Sequence, residues 1–308
     1  MKGKFLLIFI IAGLSVLLTN PSFSSFLSSS SPRVVAMGGA FVGIADDANA
    51  VFLNPGGLGF IKANELLGSY ASLMSDVNQY YFSGVVNLNN YGALGIGYNL
   101  MGTYNIPTII LDGNGNLISS DNTNYQKGDM AVTYGNKITD WLGVGIKYHC
   151  LSQEFTAISE EKAYSFDLGL LWSPIWNFSV GMTLENIYPT DFNWASGLRE
   201  KITKGAVLGV SYRPIAERIL LAMDLQDNNI DQNIDIDNLL LGGEFSVVEW
   251  LKVRLGESFS KDNSANYVGT GAVGLGVDFL RGFQFDYAWR RSNGTSVDSH
   301  YFALGCKF

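Results

Sequence analysis

One of the two histidines, His149, shares a segment with Lys147, and Asp167, Glu185 and Asp224 follow in later segments. A histidine base beside carboxylates is what proton or acyl transfer needs, once a nucleophile and an oxyanion-stabilising group join it. Yet Glu244, Lys252, Arg254, Asp286 and Arg290 recur in the same kind of position. Charges of both signs spread this evenly fit an ion-pair network filling a narrow interior better than one reaction centre. No catalytic residue is assigned, and a hydrolase is the rival reading.

Other spacings that carry chemistry lead to the same place. Gly269-Thr-Gly-Ala-Val-Gly274 has dinucleotide-binding spacing but lacks the helix and the acidic partner about 20 residues on, so it reads as a strand with small lumen-facing residues. Asp112-Gly-Asn-Gly-Asn116 begins like a calcium loop, but Leu117 stands where the turn glycine belongs and Thr123 where the closing Glu belongs. The carboxylates of 227–237 read as a solvated loop. With two histidines and no cysteine pair at ligand spacing, no metal and no cofactor are expected. Cys150 and Cys306 fall in segments far apart in the chain and read as small apolar fillers. A net charge of −8 lacks the basic face a nucleic acid requires.

The elements that must position these groups are strands. From Glu65 to Phe308 the chain breaks into about fourteen alternating segments bounded by Asn, Asp, Gly, Ser or Pro. Leu94, Ile96, Tyr98 and Leu100 alternate with Ala93, Gly95, Gly97 and Asn99. Phe178, Val180, Met182 and Leu184 alternate with Ser179, Gly181, Thr183 and Glu185. The same period recurs in 219–226 and 283–290. One face wants hydrocarbon and the other carries charges and glycine. Past the N-terminus no apolar run reaches the roughly 20 residues of a spanning helix. The pattern predicts an all-β fold, a transmembrane antiparallel β-barrel of about fourteen strands over 65–308. Connections near 89–90, 137–140, 173–175, 214–216 and 281 are short and alternate with longer ones at 105–123, 188–200 and 228–233, as barrels of this type require. Trp141, Trp172, Trp176, Trp250, Tyr80 and Tyr301 sit near strand ends, where an aromatic girdle belongs. Inward Val85, Leu171, Val207, Leu220 and Leu240 would form an oily pocket if they cluster.

Met1-Lys2-Gly3-Lys4 followed by an apolar run to Leu18 is the pattern of a cleaved signal peptide over 1–24, which predicts export. Residues 25–64 lack a period of two. Their Ala- and Gly-rich stretch 36–52 predicts one or two short helices, the second capped by Asp46 or Asp47 and ended by Asn54-Pro55-Gly56-Gly57.

Here the stretches Met37-Gly38-Gly39-Ala40-Phe41, Ala45-Asp46-Asp47-Ala48 and Asn54-Pro55-Gly56-Gly57-Leu58 resemble the N-terminal region of PorV/PorQ-type outer-membrane proteins and, more distantly, of FadL-type long-chain fatty-acid transporters. The fingerprint covers Arg33 to Phe60; the rest matches in architecture only. The usual third stretch of these families has Ala at Gly56 or Gly57. The resemblance implies that 31–61 is a plug, or hatch, closing the barrel from the periplasmic side. It implies transport of hydrophobic small molecules, or a role in type IX secretion with secreted protein cargo; a structural or docking barrel without permeant is the alternative. The final strand ending in Phe308 resembles the recognition signal of the barrel assembly machinery. Together these place the chain in the lipid of a Gram-negative-type outer membrane.

Overall fold

The structure, a computed structural model, describes residues 31–74, 76–111, 117–155, 159–194, 197–215, 218–232, 235–262, 264–292 and 297–308. The signal segment 1–24 and the turn 112–116 lie outside the described residues.

The alternating segments become strands: β1 (Glu65–Met74), β2 (Val77–Asn87), β3 (Ala93–Leu111), β4 (Leu117–Thr139), β5 (Leu142–Phe155), β6 (Ser159–Ile175) and β7 (Phe178–Glu185). After a small separate pair, β8 (Phe192–Asn193) and β9 (Arg199–Glu200), come β10 (Gly205–Ile215), β11 (Ile219–Asp227), β12 (Asn238–Val248), β13 (Leu251–Lys261), β14 (Tyr267–Phe279), β15 (Phe283–Arg290) and β16 (Ser299–Lys307). Fourteen of them pair antiparallel with their neighbours in one closed barrel. β1 closes on β16 from Glu65↔Lys307 to Ser72↔His300, so neither end strand is left as an edge.

The period of two sorts the side chains. Leu94, Ile96 and Tyr98 stay 41%, 52% and 45% exposed, while Ala93, Gly95, Gly97 and Asn99 between them are buried. Burying one such large apolar side chain is worth about 1.5–3 kcal/mol, so a full ring of them facing outward is stable only against hydrocarbon. The wall is that of a transmembrane barrel, and among the described residues no helix is long and apolar enough to cross a membrane. Trp141, Trp172, Trp176 and Trp250 stay exposed at the short-turn end. Tyr301 departs from the girdle expected of it. It is 2% exposed, because Phe302 takes the outward position and parity turns its neighbour inward.

The expected long loop 105–123 is instead mostly ladder. β3 and β4 continue pairing from Ile106↔Thr123 to Leu111↔Leu117, past a bulge where Asn105 has φ 58°. These two strands run 19 and 23 residues, against 8 for β7, so the rim away from the short turns is of unequal height. Beyond β7 the chain bonds back to β6, the Ile187 and Thr190 N–H groups donating to the Phe166 and Tyr164 carbonyls at 2.8 and 2.9 Å, and Phe192 and Ile202 are buried.

The N-terminal segment lies against inward-facing side chains around the ring. α1 (Pro32–Ala36) and α2 (Ala50–Leu53) are single turns, and a 3-10 helix follows at Pro55–Phe60. The second helix starts later than expected. Asn49 occupies its N-cap, while the Asp47 carboxylate accepts from the Asn49 N–H at 2.8 Å. The helix does end at Asn54-Pro55, where Asn54 is its extended C-cap, and Pro55 opens a separate 3-10 turn at a position where its missing N–H costs nothing.

Gly38 shows how close the segment approaches the wall. Its φ is +65°, and a Cβ there would sit 2.4 Å from the Leu241 carbonyl oxygen and 2.6 Å from the Glu257 nitrogen. We expect Gly38→Val to cost at least about 1–2 kcal/mol through the left-handed backbone alone. Gly68→Ala, at an outward position with nothing within 4 Å, should be silent. Limited proteolysis of folded protein checks this: only the first variant should expose cleavage sites in 31–61.

Candidate functional site in the barrel interior

A segment without a ladder must find hydrogen-bond partners for its backbone, and inward side chains of the wall supply them. The Phe41 and Val42 N–H groups both donate to Asp224 Oδ2 on β11 at 2.8 Å. Ser179 Oγ donates to the Gly43 carbonyl at 2.7 Å. Thr133, Lys147 and Thr183 donate to the carbonyls of Val51, Phe52 and Leu53 at 2.8, 3.0 and 2.9 Å. Asn54 bonds both ways: its side-chain amide donates to Val42 and Leu170 carbonyls, and its Oδ1 accepts from Gly56. Among the motif residues, Met37, Ala40, Asn54, Pro55, Gly56 and Gly57 are buried, Gly39 is half-buried, and Asp46 stays exposed at the opening.

Ion pairs hold the same segment at the short-turn end. Arg33 reaches Asp46 and Asp47 at 2.6 Å and Glu244 of β12 at 3.1 Å. Glu244 also receives Arg254, which is 0% exposed and pairs in turn with Asp286. Lys307 pairs with Glu65 at 2.8 Å, and Glu65 accepts from the Ala48 N–H at 2.9 Å. Alternation does not predict the inward placement of Arg33, which precedes the barrel strands. Its only signal was an isolated cation next to Pro32, just before the glycine motif.

A second cluster sits against α2. Lys147 pairs with Asp167 at 2.5 Å, and His149 lies 3.4 Å from Asp129 and 3.3 Å from Asp167. Asp167 also accepts from the Asn186 N–H at 2.8 Å. His149 thus lies between two carboxylates, on the same strand face as Lys147. Glu185 is buried beside this cluster, Lys252 pairs with Asp278 at 3.1 Å, and Arg290 is half-buried near Tyr301.

The inward apolar residues meet the segment. Val85, Leu171 and Leu220 join one core with Phe41, Val51, Phe52 and Leu58, and Leu240 packs at its margin. Val207 is buried outside that core. The glycine run 269–274 lies in β14: Gly274 faces Ala36, but Gly269 and Gly271 lie beside the Glu257 carboxylate on the opposite face, so only part of the run is lumenal. Among the described residues no three metal-ligating groups converge. In the acidic 227–237 stretch, Asp227 and Asp237 accept backbone N–H groups of the turn, which leaves them as loop staples. Cys150 and Cys306 are free thiols.

Asp224→Ala strands the Phe41 and Val42 N–H groups, which should destabilise the segment locally by about 2–3 kcal/mol. Amide exchange at those two residues should accelerate while the strand ladder keeps its protection; unchanged exchange would remove the anchoring role from the carboxylate. Burial alone would raise the Asp47 carboxyl, but Arg33 and then Lys307 outweigh it and hold the group below the usual carboxylate range. A carboxyl depressed in the folded state stabilises above its ordinary value near ~3.9, and that contribution disappears as pH falls through the lower folded value. Protease protection of 31–61 should thus weaken in acid below about pH 4, and Asp47→Asn should flatten that dependence.

No family model and no curated protein matches the chain. Solved structures do match in fold. The P. putida toluene transporter TodX superposes with a TM-score of 0.66 at 13% identity, over 92% of this chain and 99% of that one. The Ralstonia pickettii toluene transporter TbuX gives 0.61 at 12% identity over 92% and 99%. A Pseudomonas aeruginosa FadL homologue gives 0.60 at 12% identity over 94% and 98%. At these identities the likeness is one of fold: this chain folds like FadL-type hydrocarbon channels along nearly its whole length.

Proposed function

We propose that the protein is an outer-membrane transport barrel for hydrophobic small molecules, with residues 25–64 as its plug and 1–24 as a removed export signal. The observation that carries this is the packing of Val85, Leu171 and Leu220 against Phe41, Val51, Phe52 and Leu58. Withdrawing the segment would uncover apolar side chains along the interior of a membrane-spanning wall, and an apolar lining suits an apolar permeant. Residues 31–61 are held by separate hydrogen bonds and ion pairs and, among the described residues, share no backbone ladder with the wall, so they can leave without opening the barrel. The full-length likeness to channels whose names refer to toluene supports monoaromatic hydrocarbons as the first permeants to try.

A second reading, a docking or secretion barrel of PorV type with no small permeant, is favoured by a different observation. Lys147–Asp167 and Arg254–Asp286 are wall-to-wall pairs that would remain in the interior after the segment left. An ionic constriction opposes passage of hydrocarbon.

Uptake of labelled toluene by cells carrying the protein, its 32–61 deletion, or neither separates these readings. Transport requires faster uptake with the intact protein than without it, and a further rise on deletion. Equal uptake in all three, with secreted proteins co-purifying with the barrel, would establish the docking reading instead. Phe308, exposed beyond β16 and paired through its backbone with Asn64, is assigned as the assembly signal. Its deletion should lower the amount of folded, heat-modifiable barrel without changing the amount of chain made.

A further inference from the structure

At the short-turn end, beside Arg33, lies a cavity of about 250 Å³. A water takes about 30 Å³ of liquid, so there is room for a small organic or inorganic ion. Five cationic side chains line it, Arg33, Arg213, Arg218, Lys252 and Lys307, against three acids, Asp46, Asp47 and Glu244. This is a local excess of positive charge in a chain whose net charge is −8.

The acids are already engaged. Asp46 receives Arg33 and Arg213, Asp47 receives Arg33, and Glu244 receives Arg33 and Arg254. The cations are less fully used. Lys252 gives one bond to Asp278 and Lys307 one to Glu65, although each ammonium has three N–H donors. Arg213 uses one nitrogen on Asp46, and the exposed Arg218 guanidinium has no side-chain partner among the described residues. The cavity therefore offers a surplus of charged donors from β10, β13, β16 and the turn before β11, and few free acceptors of its own.

We propose that this cavity binds a small oxyanion, bearing phosphate or carboxylate groups, entering from the short-turn end. Arg218 and Lys252 supply its main contacts, because both are reachable and neither holds the N-terminal segment in place. Such binding is independent of whether the barrel transports anything, so an uptake assay neither supports nor removes it.

The test is calorimetric titration of inorganic phosphate into the full-length, detergent-solubilised protein at constant ionic strength, with chloride as the control anion. The expected result is saturable phosphate binding that chloride does not reproduce, weakened at least about tenfold in the Arg218→Gln/Lys252→Gln double variant, as loss of two charged hydrogen-bond donors implies. Heat-modifiable migration on a gel verifies that the variant is folded, and Arg218→Gln alone serves if the double variant is not. Absence of saturable heat, equal binding of chloride, or unchanged affinity in a folded variant would each overturn the proposal.

Discussion

An irregular backbone enclosed in a barrel must have its N–H and C=O groups matched by something other than a ladder. Here the match comes from single inward side chains on separate strands: Asp224, Ser179, Thr133, Lys147 and Thr183 each hold one or two backbone groups of the N-terminal segment. Much else in the interior follows from that requirement. Polar residues that look like the lining of an aqueous pore are partners of a protein segment, and glycines in the wall sit where that segment comes within contact distance. An unmet buried group costs about 1–3 kcal/mol, so the fit is tight by necessity.

The same requirement decides what the charged residues do. Buried ion pairs gain little net stability over apolar packing, but losing one partner is expensive because the other charge is left uncompensated. Arg254 of β13, with Glu244 of β12 on one side and Asp286 of β15 on the other, ties three strands of the wall together across β14 and through Glu244 reaches Arg33 of the segment. The His149 cluster does the equivalent work beside α2.

The barrel was legible in the sequence because its signal is local. A period of two needs only a residue and its near neighbours, and the outward Leu94, Ile96 and Tyr98 carry it plainly. Inward placement of Asp224 or Arg254 follows from the same parity. What each inward residue touches does not, since Arg33 and Glu244 are 211 positions apart and no spacing rule joins them. Two departures have physical causes. Residue type favours a girdle position for Tyr301 where parity rules instead, and 105–123, expected from the alternation of connection lengths to be a long loop, pairs through Ile and Thr residues that favour strands.

The unequal strands have a consequence for how the molecule stands in a bilayer. At about 3.3 Å per residue, the contour of β3 is roughly 60 Å and that of β7 roughly 26 Å, while the apolar band of such barrels is about 25 Å tall. Even after tilt, the β3–β4 hairpin projects well clear of the lipid on the flank where it stands, whereas the β7 flank ends near the surface. The outward profile is therefore a ramp, and a body approaching along the membrane normal meets the β3–β4 flank before the β7 flank.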